Sequence, residues 1–295
     1  MHPAVLRTHA AFVILFFASI FYPSQNADSA NERVWLAVEE QPRGLLRIEP
    51  IATVDGSDLT PVQTSCLSDA LTSEDFSAKY LQLGRKYFLL FGGASIGEGQ
   101  VAEQNRSGAT ASLTYSGTMK IRGQVRALAT NVEQRDFRVA SREAATAEQR
   151  ATALALAREI FTEHGIPEAF LPNVRVEYIT RAYLAPSPQP SLIGSFTLDT
   201  GGNEGPVHTM FFVAGQPGEK LIPELLWIHV SETETDEEHL RFVDHADLFG
   251  NGKDELVAKL VSLQTETHRY VIFRRTKGGA HWEQIFKTEP LGCSS

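Results

Sequence analysis

The sequence predicts an α+β fold, built mostly of antiparallel β-sheet with one prominent helix. Short β-branched and aromatic runs recur along most of the chain, separated by turn-rich pieces. These runs follow one another at hairpin spacing without helices between them, which favours antiparallel pairing. A single segment near the middle carries an extended helical periodicity.

In chain order, the start reads as a leader. Arg7 and His9 precede the unbroken apolar run Ala10 to Tyr22, after which "PSQNADSANER" turns polar. A basic start, a short apolar run and small residues beyond describe a secretory signal over residues 1–30, with cleavage after Ala27 or Ala30. The run is shorter than the roughly 20 residues a spanning helix needs. Membrane association is therefore expected only through an uncleaved leader, and the protein is placed in the periplasm, the cell envelope or the medium.

Residues 31–140 read as a β-rich N-terminal domain. "VWLAVEE" and "LLRIEPIATV" are strands separated by the turn residues "QPRG", and "KYFLLF" is continuous enough to be buried on both faces. "SEDFSAKYL" is the one short helix candidate in this half. "REAATAEQ" reads as a linker to a second domain, residues 141–295, made of a helix plus antiparallel sheet.

The helix is expected from Thr146 to His164. Thr146 followed by Gln149 fits a capping box, in which each side chain satisfies the other's backbone donor. Leu154, Ala157 and Phe161, with Ala153, Leu156 and Ile160, form an apolar stripe at helical spacing. Gly165 supplies the left-handed stop and Pro167 follows it. Beyond lie eight further β runs, from "VRVEYITRAYL" to "HWEQIFK".

The chain of 295 residues, with 42% hydrophobic content, is long enough to bury a core in one large or two ordinary domains. A formal net charge of −9 argues against nucleic acid and anionic membrane surfaces as partners. Cys66 and Cys293 permit one disulfide in an exported chain. In the chain-entropy picture such a bridge is worth about 5 kcal/mol at most; two unpaired thiols are the alternative.

One loop points to metal chemistry. In "DLFGNGKDELV", Asp247, Asn251 and Glu255 are oxygen-bearing residues around Gly250 and Gly252, and the Lys253 carbonyl could add another oxygen. A hard cation needs several oxygens gathered by a tightly curled chain. With the strands behind it, Phe242 to Lys287 resembles one FG-GAP or VCBS-type β-propeller blade segment. Such segments carry D-x-D-G-D-G-x-D-E-L-V before a strand, a tyrosine-bearing strand and a tryptophan. The resemblance implies calcium bound by Asp247, Asn251, Lys253 and Glu255. Phe249 stands where that family has its second aspartate, and a phenyl ring cannot ligate calcium. The other reading is a plain hairpin turn, for which Asn-Gly is a strong signal.

Other chemistry is harder to find. "FGGASIGEGQV" lacks the following helix and the Gly-Lys-Ser/Thr of a phosphate loop. His239 and His245, with Asp247 and the neighbouring Glu237 and Glu238, carry transition-metal donor types without a metal-binding helix. No nucleophile-elbow motif is present. The expectation is a non-enzymatic binding or interaction module facing a protein or glycan partner. A secreted hydrolase with an acidic site assembled from distant residues is the alternative.

Overall fold

The computed structural model describes residues 32–291, except 42–43, 63–69, 106–108, 118–120, 122–125, 134–140, 201–205, 216–219, 234–235, 264, 266 and 280. The leader, Cys66 and Cys293 lie outside the described residues.

The first sheet contains β1 (Arg33–Glu40), β2 (Leu46–Asp55) and β3 (Asp58–Pro61). Helix α1 (Ala70–Tyr80) follows, then β4 (Lys86–Phe91), β5 (Ala94–Asn105), β6 (Thr110–Gly117) and β7 (Ala127–Thr130). The strands run in the order β1-β7-β4-β5-β6-β2-β3, and β1 also pairs with β2, so six of them close into a barrel. Closure removes the open edges of those six strands, while among the described residues β3 pairs with β2 alone. β1 shows how the pleat divides the labour. Val34, Leu36 and Val38 point into the barrel, while Trp35 and Ala37 point outward. Phe76 and Tyr80 of α1, with Leu81 just beyond it, join the interior cluster.

The second sheet is β12-β11-β10-β9-β8, comprising β8 (Arg142–Ala144), β9 (Arg175–Ala182), β10 (Ser191–Asp199), β11 (Val207–Gly215) and β12 (Ile222–Ser231). Arg142 to Ala144, which reads as linker in the sequence, is a strand paired with β9. Helix α2 (Ala147–Glu163) covers one face. Its capping box is formed at both ends: Gln149 N donates to Thr146 Oγ1 at 3.2 Å, and Thr146 N donates to Gln149 Oε1 at 2.9 Å. Gly165 ends it at φ +82°. The stripe Ala153, Leu156, Ala157, Ile160 and Phe161 packs on Phe196, Met210 and Phe212 of the sheet.

The third sheet is a meander of β13 (Glu238–Ala246), β14 (Glu255–Ser262), β15 (His268–Arg275) and β16 (Trp282–Lys287). It is the middle layer. Val243, Val257, Tyr270 and Ile272 meet Trp35, Ile51, Leu90 and Leu128 on the barrel exterior. Leu240, Phe242, Leu256, Ala258, Val271 and Phe273 meet Ile193, Phe211 and Val213 of the second sheet. Burial on both faces explains why "ELVAKLV" and "YVIF" read as continuous apolar runs rather than alternations.

The architecture is thus predominantly β and antiparallel. The α+β expectation narrows, because helices add one cover to each of two β layers and do not form a layer of their own. Among the described residues, no helix is long and apolar enough to cross a membrane.

Candidate functional site: an arginine-lined cleft where three sheets meet

The three sheets converge at the turn after β4. Gly92 and Gly93 take φ of +58° and +73°. A Cβ on Gly92 would stand 2.6 Å from Arg142 N, so close backbone approach as well as conformation requires glycine there. Both Asp244 oxygens accept the Gly92 amide, at 2.9 and 3.1 Å. The turn is thereby held by β13, from the middle layer. Gly92 O in turn accepts Ser141 N at 3.0 Å, one residue before β8.

Around Ser141 a relay is assembled. Ser141 Oγ lies 3.0 Å from His245 Nε2, and His245 Nδ1 lies 3.0 Å from Asp254 Oδ2. The order hydroxyl, imidazole, carboxylate is that of a hydrolase triad. The surroundings differ. Ser141 Oγ is also 2.9 Å from Gly92 O and 3.1 Å from Tyr183 O. Its single hydrogen is contested by those two carbonyl oxygens and by Nε2. Acyl transfer also needs N–H donors free to reach a developing oxyanion; the Ser141 amide is already given to Gly92 O. Asp254 Oδ2 further accepts Ala185 N at 2.7 Å, and Asp254 N donates to Ala185 O at 3.1 Å. The relay thus stitches five chain segments together.

Next to it opens a cleft of about 400 Å³, walled by Phe91 and Arg126 from the barrel, Arg142 and Tyr178 from the second sheet, and Arg241 and Phe242 from β13. Arg142 is the floor. Its Nη1 donates to Val243 O at 2.7 Å and to Arg126 O at 3.2 Å. Its guanidinium lies 5.0 Å from the Phe91 ring centre and 4.7 Å from that of Phe242, within cation–π range of both. Asp244 Oδ1 is its carboxylate neighbour, at 3.8 Å. Burial lowers Arg142 and raises Asp244 from their ordinary values, in each case against the pull of the other. The Tyr178 hydroxyl oxygen accepts Phe242 N, leaving its own hydrogen to donate elsewhere.

None of the residues from Asp247 to Glu255 lines this cleft, although Asp254 of that stretch belongs to the relay. Asp247 Oδ1 accepts Asn251 N at 2.8 Å and Oδ2 accepts Gly252 N at 2.7 Å. Asn251 Oδ1 accepts Lys253 N at 3.0 Å, and the Lys253 side chain is exposed. Glu255 is buried. Its Oε1 meets Arg274 Nε at 3.0 Å and its Oε2 accepts Leu248 N at 3.1 Å. The Arg274 guanidinium also lies 4.0 Å from the Phe249 ring centre. Phe249 thus fills the missing-aspartate position with a ring that packs on a cation. Burial, outweighing Arg274 and helped by the Asp247 charge, pushes Glu255 up to about 7.

The histidine candidates do not converge. His239 Nε2 pairs with Glu237 at 2.7 Å, while His245 belongs to the relay. No group of three or more His, Cys, Asp or Glu among the described residues is placed to share a metal ion. Sequence reasoning singled out His245 but missed Ser141, Asp254 and all three arginines of the cleft. Ser141 and His245 lie 104 positions apart, and no local motif marks either.

Comparison with family models, with curated proteins and with solved structures returned no match for this chain.

Proposed function

We propose that this chain is an exported, non-catalytic binding protein whose ligand surface is the cleft at the three-sheet junction. The observation that carries the reading is the surroundings of the relay. In the one hydroxyl–imidazole–carboxylate series among the described residues, two carbonyl oxygens compete with the imidazole for the hydroxyl hydrogen that a nucleophile must give up to it. The adjoining cleft offers guanidinium groups, a phenolic hydroxyl and aromatic faces, which bind but do not attack. Export rests on the leader, whose basic start and apolar run remain a reading of sequence.

The same reading treats the Asp247–Glu255 loop as a turn that brings its own cation. Calcium takes six to eight oxygens. The side-chain oxygens of Asp247, Asn251 and Glu255 already accept the loop's amides or face Arg274, so the set fits calcium poorly. The resemblance to a propeller blade is then one of loop and meander, on a sheet covered on both faces as a blade is by its neighbours.

A hydrolase is the second reading, favoured by the two 3.0 Å relay distances. A fluorophosphonate probe separates the two. The binding reading expects no adduct on the purified exported form; an adduct that Ser141→Ala abolishes would establish the hydrolase.

A further inference from the structure

Charge around the cleft is unevenly matched. Three guanidinium groups line it. Arg126 Nε is 3.1 Å from Glu39 Oε1, an oxygen that Lys259 also holds at 2.9 Å. Among the described residues Arg142 has only Asp244 as an ion-pair partner, at 3.8 Å. Arg241 is half-buried and has neither ion pair nor side-chain hydrogen bond among the described residues. Two carboxylates also reach the wall, and one of them is paired with a cation. Glu143 meets Arg181 at 2.6 Å, and Glu177 Oε1 accepts Thr197 Oγ1 at 3.1 Å. The apolar part of the wall is Phe91, Ala144, Ile179 and Phe242.

We propose that the cleft binds a small organic anion, an apolar body bearing one carboxylate, with the Arg241 guanidinium as its anchor. A guanidinium presents paired N–H donors that match the two oxygens of a carboxylate. Glu177, bonded among the described residues only to a neutral hydroxyl, already sets one negative charge on the wall, so a ligand with a single carboxylate suits the three guanidinium groups better than a dianion. The apolar wall and a volume of about 400 Å³ suit a body the size of a short acyl chain or an aromatic ring. Arg142 deepens the preference: burial holds it below its ordinary value, so an incoming anion would relieve an under-compensated charge. This inference rests on the reading of the chain as a binding protein.

The test is calorimetric titration of the exported form with hexanoate and benzoate, against the neutral hexanamide and benzamide and against inorganic phosphate. Both acids should bind, with each amide at least about tenfold weaker, as loss of a charge-assisted contact implies. Arg241→Gln should lose about ten- to a hundredfold in affinity, and Arg241→Lys should recover part of it. Melting curves of both variants check folding, and the lysine variant decides if the glutamine variant melts early. Amides binding as well as acids, phosphate binding alone, or acid affinity indifferent to position 241 would overturn the assignment. If neither acid binds, the fluorophosphonate result shows which idea has failed. An adduct at Ser141 removes the binding reading; no adduct removes only the anion assignment.

Discussion

Two junctions that the middle sheet makes with its neighbours bury charge, and they do so differently. At the closed junction, Glu49 of β2 is buried against His268 Nε2 at 2.8 Å, the Tyr270 hydroxyl at 2.8 Å and Lys259 Nζ at 3.7 Å. Arg47 and Glu39 complete it, at 2.5 Å from Glu49 and 2.9 Å from Lys259. Burial alone would raise Glu49, but His268, Lys259 and Arg47 together hold it well below the usual carboxylate range. At the open junction, Arg142 and Asp244 stand 3.8 Å apart and burial works against both. The first arrangement satisfies itself; the second leaves positive charge facing a cleft. Buried charge alone therefore does not mark a binding site. On the proposal above, charge that its own chain does not fully match is what does.

The comparison can be broken most forcefully at the closed junction. Glu49→Ala should destabilise by about 3–5 kcal/mol, because the buried Tyr270 hydroxyl and His268 lose their acceptor while Lys259 keeps only Glu39; urea unfolding measures it. The sign with pH follows from the depressed value. Wild-type stability from Glu49 is present above about 4.5, the ordinary carboxylate value, and is lost as pH falls through the folded value. Glu49→Gln should flatten that acid limb.

The loop offers an intermediate effect of opposite sign. Glu255 is raised from 4.5 to about 7, so its contribution is present below 4.5 and lost as pH rises through 7. Replacement by Gln should remove that slope, worth up to about 3 kcal/mol across the window. Melting temperature followed from pH 4.5 to 7.5 in both proteins would show it, and parallel curves would refute it.

Ser141→Ala should cost about 1–3 kcal/mol, the penalty for leaving buried partners without a hydrogen bond. It should leave organic-anion affinity unchanged within about twofold, since Ser141 is not among the cleft-lining residues. The smallest effect concerns calcium. Millimolar calcium should move the melting temperature by less than about 1 °C, because the loop oxygens are already engaged. A clear upward shift, absent in Asp247→Ala, would restore the metal site.

Much of the fold was legible because it is local. Thr146, Gln149 and Gly165 bound α2 by neighbour chemistry alone, and the strands after Val174 read from their composition. Barrel closure was not legible, because it requires β1 to pair with both β2 and β7, strands separated by most of the first sheet. The domain reading drew a boundary near residue 140, yet Ser141 and Arg142 bond to residues from Gly92 to His245. The cleft escaped sequence reasoning for the same reason: Arg126, Arg142 and Arg241 belong to three sheets, and only packing brings them together.

The most direct measurement is a backbone amide NMR titration of the wild-type protein with benzoate. Shifts should concentrate at Phe91, Arg126, Arg142, Tyr178, Arg241 and Phe242, and the amides of Glu49, Lys259 and Tyr270 should stay unmoved. Equal shifts at both junctions, or shifts confined to the closed one, would contradict the claim that unmatched charge is what makes the open junction a site.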